Sequence, residues 1–211
     1  MPWVSRETML GYFYAQKSIL WRIILMNNEL KVSERKDTTQ PMNYNLETER
    51  LKLIPLQAKS LALALEDYDT MQTELGLKVI KTFLEDEEML YAMKVRLVKV
   101  LENLENYWWF TNWAIVLKEE NIIIGYIILK GLPNEAGEVI IGYDIDEDYR
   151  RKRFATEAID NLILWIFANP KALSVIADTE KDNIPSCKLL EHIGACRYKE
   201  TEELVWWRIE K

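Results

Sequence analysis

From Arg50 onward, apolar and polar positions alternate between two periods, one of about two residues and one of about three and a half. Arg50 to Pro55 reads as a half-buried strand stopped by proline, and Gln57 to Glu66 as a helix. Leu84 to Leu104 predicts a longer amphipathic helix, with Leu90, Met93, Leu97, Leu101 and Leu104 on its apolar side. The acids Glu85, Asp86, Glu87 and Glu88 at its front suit the positive end of a helix dipole. Asn112–Leu117 and Ile122–Leu129 are apolar runs joined by a polar tetrapeptide, the pattern of a hairpin. A further strand runs from Glu138 to Asp146. Val139, Ile141, Tyr143 and Ile145 share one face of it, and Glu138, Ile140, Gly142, Asp144 and Asp146 share the other.

Phe154 to Ala168 predicts a helix ended by Asn169-Pro170, and Leu173 to Ala177 a short buried strand. Asn183 or a neighbour caps another helix, with Pro185 in its first turn and Gly194 as its stop. Arg197–Thr201 and Leu204–Ile209 form a closing hairpin. The unit from Glu138 to Asp178 is strand, helix, strand, which predicts two parallel strands with a right-handed crossover. Its helix then opens at the carboxyl end of a strand, where ligands commonly bind. The fold class expected is mixed α/β: a largely antiparallel twisted sheet with a central parallel βαβ unit and helices on both faces.

Residues 1–41 read differently. Leu10 to Met26 predicts an amphipathic helix with Trp21, Ile23, Ile24 and Leu25 crowding its apolar side, and Asn27 to Gln40 a polar linker closed by Pro41. Met42 follows at once, so residues 1–41 read as an extension upstream of a domain at 42–211. The competing reading is an arm that docks on a membrane surface or a partner.

Charge and cysteine content narrow the function. The net charge is −7; residues 1–41 hold six Lys/Arg and four Asp/Glu, which leaves −9 on the rest. Nucleic acid is excluded as an expected partner, because its phosphates would meet an acidic surface. Cys187 and Cys196 form no C-x-x-C motif and His192 is the sole histidine, so no metal centre is expected. No apolar stretch is long enough to span a bilayer. With cysteine usage that suits a reducing compartment, these features predict a cytoplasmic protein for which a membrane role is not expected.

Against that acidic background stands Arg150-Arg151-Lys152-Arg153, four successive cations just before Phe154. Cations oppose the dipole at a helix N-terminus and are tolerated there chiefly when an anion is bound. Free N–H groups and guanidinium forks together suit phosphate.

Gly142-Tyr143-Asp144-Ile145-Asp146-Glu147-Asp148-Tyr149-Arg150, followed by Arg-Lys-Arg-Phe-Ala-Thr-Glu-Ala, resembles the acyl-CoA signature Gln/Arg-x-x-Gly-x-Gly/Ala of the GNAT superfamily of N-acetyltransferases. Val175 to Thr179 and Asn183 to Glu191, ending at Gly194, resemble the family's next block. Thr48 to Leu53 and Val205 to Arg208 are similar to its ribosomal-protein N-acetyltransferase branch. The likeness runs from about residue 47 to the C-terminus.

The resemblance implies acetyl-CoA as co-substrate, held between splayed parallel strands, with its pyrophosphate on the N–H groups around Arg151, Lys152, Arg153, Phe154, Ala155 and Thr156. Arg150 flanks that site, and Asn183 and Ser186 match positions near the pantetheine arm. An amine would attack the thioester directly. Asp144 and Glu138 are the candidate bases, with Asp144 the nearer to the expected thioester, Ser186 the candidate donor to the departing thiolate, and the Ile145 N–H the candidate oxyanion partner. The acceptor is an amine-bearing small molecule or a protein N-terminus, and the chain a monomer or homodimer. Three departures stand out. Arg153 occupies a glycine position, where it is expected to keep ordinary φ and turn its side chain outward. Ile140 stands where many relatives have glutamate, and Leu190 where some branches have a catalytic tyrosine. These departures motivate an alternative, a non-catalytic GNAT domain that binds acyl-CoA or a partner. Trp108, Trp109, Phe110 and Trp113 read first as core and second as an acceptor pocket.

Overall fold

The structure is a computed structural model that describes residues 45–80 and 87–211. The expectations for residues 1–41 and for the acids at 85–88 lie outside the residues and side chains described. The described elements are β1 (Leu46–Glu47), β2 (Leu51–Pro55), α1 (Ala58–Glu66), α2 (Tyr68–Glu74), α3 (Glu87–Glu102), β3 (Asn112–Leu117), β4 (Ile122–Leu129), β5 (Glu138–Ile145), α4 (Phe154–Phe167), β6 (Ser174–Glu180), α5 (Ile184–His192), β7 (Cys196–Glu200) and β8 (Leu204–Glu210). Short 3₁₀ turns cover Leu104–Trp109 and Glu147–Tyr149.

The strands form one sheet in the order β1-β2-β3-β4-β5-β6-β8-β7. Every neighbouring pair is antiparallel except β5–β6, which is parallel and joined through α4. This is the mixed sheet with a central βαβ unit that the periodicity predicts. β3 and β4 are apolar at almost every position because both of their faces are covered.

On one face, α4 buries Phe154, Ala158, Ile159, Leu162, Ile163 and Ile166. This helical stripe packs with Val139, Ile141 and Ile145 of β5 and Val175 and Ala177 of β6. Cys187 and Leu190 of α5 join the same core. On the other face, α1 and α2 bring Leu61 and Tyr68 into the interior. There the Tyr68 and Tyr126 hydroxyls meet at 2.7 Å. Helices therefore flank both faces.

Three details depart from the periodicity. The buried stripe of α3 is Met89, Met93, Leu97 and Val100; Leu90 and Leu101 are only partly buried, and Leu104 lies exposed beyond the helix end. Only Met93 and Leu97 of the expected stripe are buried, because its packing face is rotated part of a turn from the row of leucines. Helix α2 is additional, and it is started by Asp67, whose carboxylate accepts from the N–H groups of Asp69 and Thr70. The two-residue strand β1 is likewise additional, paired through Leu46↔Leu53 and Glu47↔Lys52. Among the described residues no helix is long and apolar enough to cross a membrane.

Candidate active site

The β5–β6 ladder runs from Glu138↔Ser174 to Ile141↔Ala177 and ends there. Both strands continue, β5 to Ile145 and β6 to Glu180, so they diverge over their carboxyl-terminal halves. On its other side β5 stays paired with β4 as far as Gly125↔Ile145. Backbone alternation then sets the direction of each peptide group. The Ile140 carbonyl accepts from Lys130 N at 3.0 Å and Asp146 N donates to the Ile124 carbonyl at 2.9 Å, so the even-numbered residues face β4. The N–H groups of Tyr143 and Ile145 therefore point towards β6, into the gap.

The far wall of the gap is the start of α5. Asn183 is its N-cap, with its Oδ1 accepting from Ser186 N at 3.2 Å. The Tyr143 hydroxyl donates to the Ser186 carbonyl at 3.4 Å and so joins β5 to α5. Burial pushes the Tyr143 hydroxyl up to about 12, against the lowering effect of the nearby Ser186 side chain. Tyr143 therefore stays a neutral donor at neutral pH. Thr179 Oγ1 lies 3.5 Å from Cys187 Sγ and accepts the Trp207 indole N–H at 2.9 Å, which fastens α5 to β6 and β8.

The base of the gap is the loop from Arg150 to the first turn of α4. The first intrahelical bond of α4 runs from Glu157 N to the Arg153 carbonyl, which leaves the N–H groups of Phe154, Ala155 and Thr156 directed out of the helix end. Arg151 and Arg153 both take positive φ, 62° and 64°. This corrects the expectation that Arg153 keeps ordinary φ. The loop has the glycine-like geometry of the family's motif, and an arginine adopts it. Alternating left-handed residues turn successive N–H groups to one side and make a concave anion site.

A left-handed non-glycine residue costs about 1–2 kcal/mol, part of which glycine's greater chain entropy takes back. Arg153→Gly is therefore expected to raise the melting temperature by roughly 2–4 °C. An unchanged or lower value in a thermal scan would contradict the strain.

The four cations are placed differently from one another. Arg150 turns back on β5: its Nε donates to the Ile145 carbonyl at 2.8 Å, and its guanidinium lies 3.4 Å from Asp144. Lys152 Nζ lies 4.9 Å above the Tyr149 ring. Arg151 and Arg153 are exposed. Phe154 is buried beneath the loop, with Ala155 and Thr156 partly buried.

Asp144 lies on the strand segment beyond the end of the β5–β6 ladder, beside Arg150. Glu138 lies at the opposite end of β5, six residues away or roughly 20 Å along an extended strand. It is ion-paired to Arg208 at 2.5 Å and accepts from Asn134 at 3.0 Å. The structure thus groups Asp144, Ile145, Asn183, Ser186 and the 150–156 loop around one gap and leaves Glu138 outside it. The two share a strand face, but period-two alternation says nothing of which end of the strand meets the ligand.

Leu190 is fully buried, a core residue. Trp109 and Trp113 pack at a tilt against Trp165 in the last turn of α4, with centroids 4.6 and 5.1 Å from its ring, at the end of the helix away from the loop. That is the core reading of the aromatic cluster. Tyr143 and the group Thr48, Arg50 and Glu157, which meets the loop from behind, were not among the residues expected at the site. Thr48 and Arg50 stand in the family-like opening block, but their pairing with Glu157 spans more than a hundred residues.

The model of the acetyltransferase (GNAT) domain matches residues 50–195, and the chain belongs to that family. Among curated proteins, Bacillus subtilis (strain 168) YjdG, named as an uncharacterized N-acetyltransferase, is 33% identical over 98 residues, 46% of this chain and 58% of YjdG. The chain thus spans little more than half the length of that relative. Among solved structures, the ribosomal-protein-S5-alanine acetyltransferase of Vibrio fischeri superposes with a TM-score of 0.57 at 18% identity, covering 79% of this chain and 96% of that one. The microcin C7 self-immunity acetyltransferase MccE, in complex with acetyl-CoA and AMP, superposes with a TM-score of 0.53 at 11% identity, covering 78% and 94%. At these identities the likeness is one of fold.

Proposed function

We propose that residues 42–211 form an N-acetyltransferase that moves the acetyl group of acetyl-CoA to a primary amine by direct attack. The observation that carries this reading is the divergence of β5 from β6 immediately beside the left-handed loop at the N-terminus of α4. One wall supplies strand N–H groups, and the base supplies helix N–H groups with exposed cations. A long ligand with a thioester at one end and a pyrophosphate at the other matches that combination. The family membership and the acetyl-CoA bound to a protein of the same fold support the choice of ligand.

In this reading Phe154, Ala155, Thr156 and the Arg151–Arg153 backbone take the pyrophosphate, and Asn183 and Ser186 border the pantetheine arm. The acceptor's ammonium gives a proton to Asp144, directly or through water, and Arg150 holds that carboxylate in place. The freed amine forms a bond to the acetyl carbon while the Ile145 N–H meets the developing oxyanion. The carbon–sulfur bond then breaks, the new amide nitrogen loses its excess proton to solvent, and the thiolate takes a proton from the Ser186 hydroxyl, which solvent restores. Asp144 carries the base role without Glu138, whose carboxylate is held by Arg208 and Asn134 at the far end of the strand. The acceptor is a protein N-terminus or a small amine, the compartment the cytoplasm, and the working form a monomer or homodimer. Residues 1–41 are an extension of this domain.

Acetyl-CoA at a hundredfold excess over its Kd is expected to stabilise the protein by about 2.7 kcal/mol, a rise of roughly 5–10 °C. Pantetheine should give clearly less, because it lacks the pyrophosphate. Thiol release across a panel of amines reports turnover. Equal stabilisation by both ligands would remove the phosphate site from the reading.

The two strained arginines favour one second reading, a domain that binds acyl-CoA without catalysis. A thermal shift with acetyl-CoA but no thiol release with any amine would select it.

A further inference from the structure

Two left-handed arginines on either side of Lys152 need something to hold them before a ligand arrives, and Arg153 caps α4 without a side-chain hydrogen bond. The restraint comes from the turn between β1 and β2. Arg50 places Nε and Nη2 on Glu157 Oε2 at 2.7 and 2.6 Å. Its Nη1 donates to the Lys152 carbonyl at 3.2 Å, and its guanidinium lies 4.5 Å over the Phe154 ring. Edge and face of the planar fork are both in use, which a lysine could not reproduce. The bond to the Lys152 carbonyl fixes the peptide unit that joins Lys152 to Arg153.

Glu157 is the second half of the device. Its Oε1 accepts from the Arg50 main-chain N–H at 3.0 Å and from the Thr48 hydroxyl at 2.5 Å. Thr48 is itself pinned, since Leu51 N donates to its hydroxyl at 2.9 Å. Burial pushes the Glu157 carboxyl up, but the hydrogen bonds from Thr48 and Arg50 outweigh it and hold the group below its ordinary value. Glu157 is thus a carboxylate at neutral pH. It balances the charge of Arg50, which leaves Arg50 to shape the loop while the exposed cations meet the ligand.

We propose that the β1–β2 turn is a clamp that pre-shapes the phosphate loop, with Thr48, Arg50 and Glu157 as positioning residues for the nucleotide end of acetyl-CoA. The proposal rests on the acetyl-CoA reading of the same site. Its signature is selective for the donor. Acetyl-pantetheine lacks the pyrophosphate, so loosening the loop costs it nothing, whereas acetyl-CoA loses part of its advantage.

Steady-state thiol release with both donors tests this on the full chain. Arg50→Lys is expected to raise KM for acetyl-CoA about tenfold or more, with kcat within about threefold and KM for acetyl-pantetheine unchanged. Thr48→Val should move KM in the same direction by less, and Thr48→Ser, which keeps the hydroxyl, should restore the parental value. If Arg50→Lys does not fold, the Thr48→Val and Thr48→Ser pair decides. Equal rises in KM for both donors, or no rise with acetyl-CoA in a parent that turns over, overturns the clamp alone. A parent that neither releases thiol nor gains thermal stability with acetyl-CoA overturns the functional reading and the clamp together.

Discussion

Gly125→Ala is expected to lower the melting temperature by roughly 5–10 °C and to reduce thiol release more than acetyl-CoA binding. Gly125 sits inside β4 directly opposite Ile145. A Cβ built there would lie 2.4 Å from the Asp144 carbonyl oxygen, 2.7 Å from Ile145 Cδ1 and 3.1 Å from Ile145 Cα. Two of those atoms are backbone, which no rotamer change relieves, so β4 and β5 must separate. Overpacking a built core costs about 1–3 kcal/mol, and a backbone obstacle puts this site at the upper end. The displaced segment is Asp144–Ile145, which carries the proposed base and oxyanion donor. Beyond Arg150 the phosphate loop lies further along the chain and is bonded at the Lys152 carbonyl to Arg50 of the β1–β2 turn, so binding should suffer less than turnover. A register shift between Ile115 and Val116 of β3, beside Gly125, shows that the sheet is already irregular there. Parental stability and parental turnover in Gly125→Ala would show that the two strands yield freely and would remove the close packing as a constraint.

Legibility in the sequence followed the range of each interaction. The Asn183 cap, the Pro185 first turn and the two faces of β5 depend on neighbours a few residues away, and each stands in the structure as the residue pattern reads. The succession of strands from β2 to β8 likewise follows from alternation and turn chemistry. What was illegible depends on contacts distant in sequence. Periodicity places Glu138 and Asp144 on one face, yet only the point where β5 leaves β6 separates a residue beside the gap from one at the far end of the strand. The stripe of α3 misleads because a helix rich in leucine presents more than one apolar row, and the packing partners choose between them. Arg153 is the sharpest case. Its residue type argues for ordinary φ, but the clamp from Arg50 and Glu157, separated from each other by 107 residues, supports the left-handed turn. Local preference is overruled by a tertiary restraint that leaves no mark on the local sequence.

Trp207→Ala is expected to cost about 3–5 kcal/mol, the largest loss of stability at any position discussed. Trp207 is 1% exposed and lies on β8, opposite Ala177 of β6 on one side and Arg197 of β7 on the other. Its indole N–H donates to Thr179 Oγ1 at 2.9 Å, and the Arg197 guanidinium covers its ring at 4.8 Å. Thr179 in turn meets Cys187, the buried residue that seats α5. The ring therefore supports the helix whose first turn forms one wall of the gap. Against a total stability of about 5–15 kcal/mol, its removal takes a large share and should lower the melting temperature by about 10 °C or more. Trp207→Phe separates the two contributions. It keeps most of the buried volume and removes the donor to Thr179, so its cost should be nearer the ~1 kcal/mol of one hydrogen bond plus a small cavity. Calorimetry on the two variants reads the difference directly. If alanine and phenylalanine destabilise equally, the indole N–H rather than the ring is what holds α5 to the sheet. If neither moves the transition, α5 is seated by Cys187 and Leu190 alone, and the gap keeps its wall without β8.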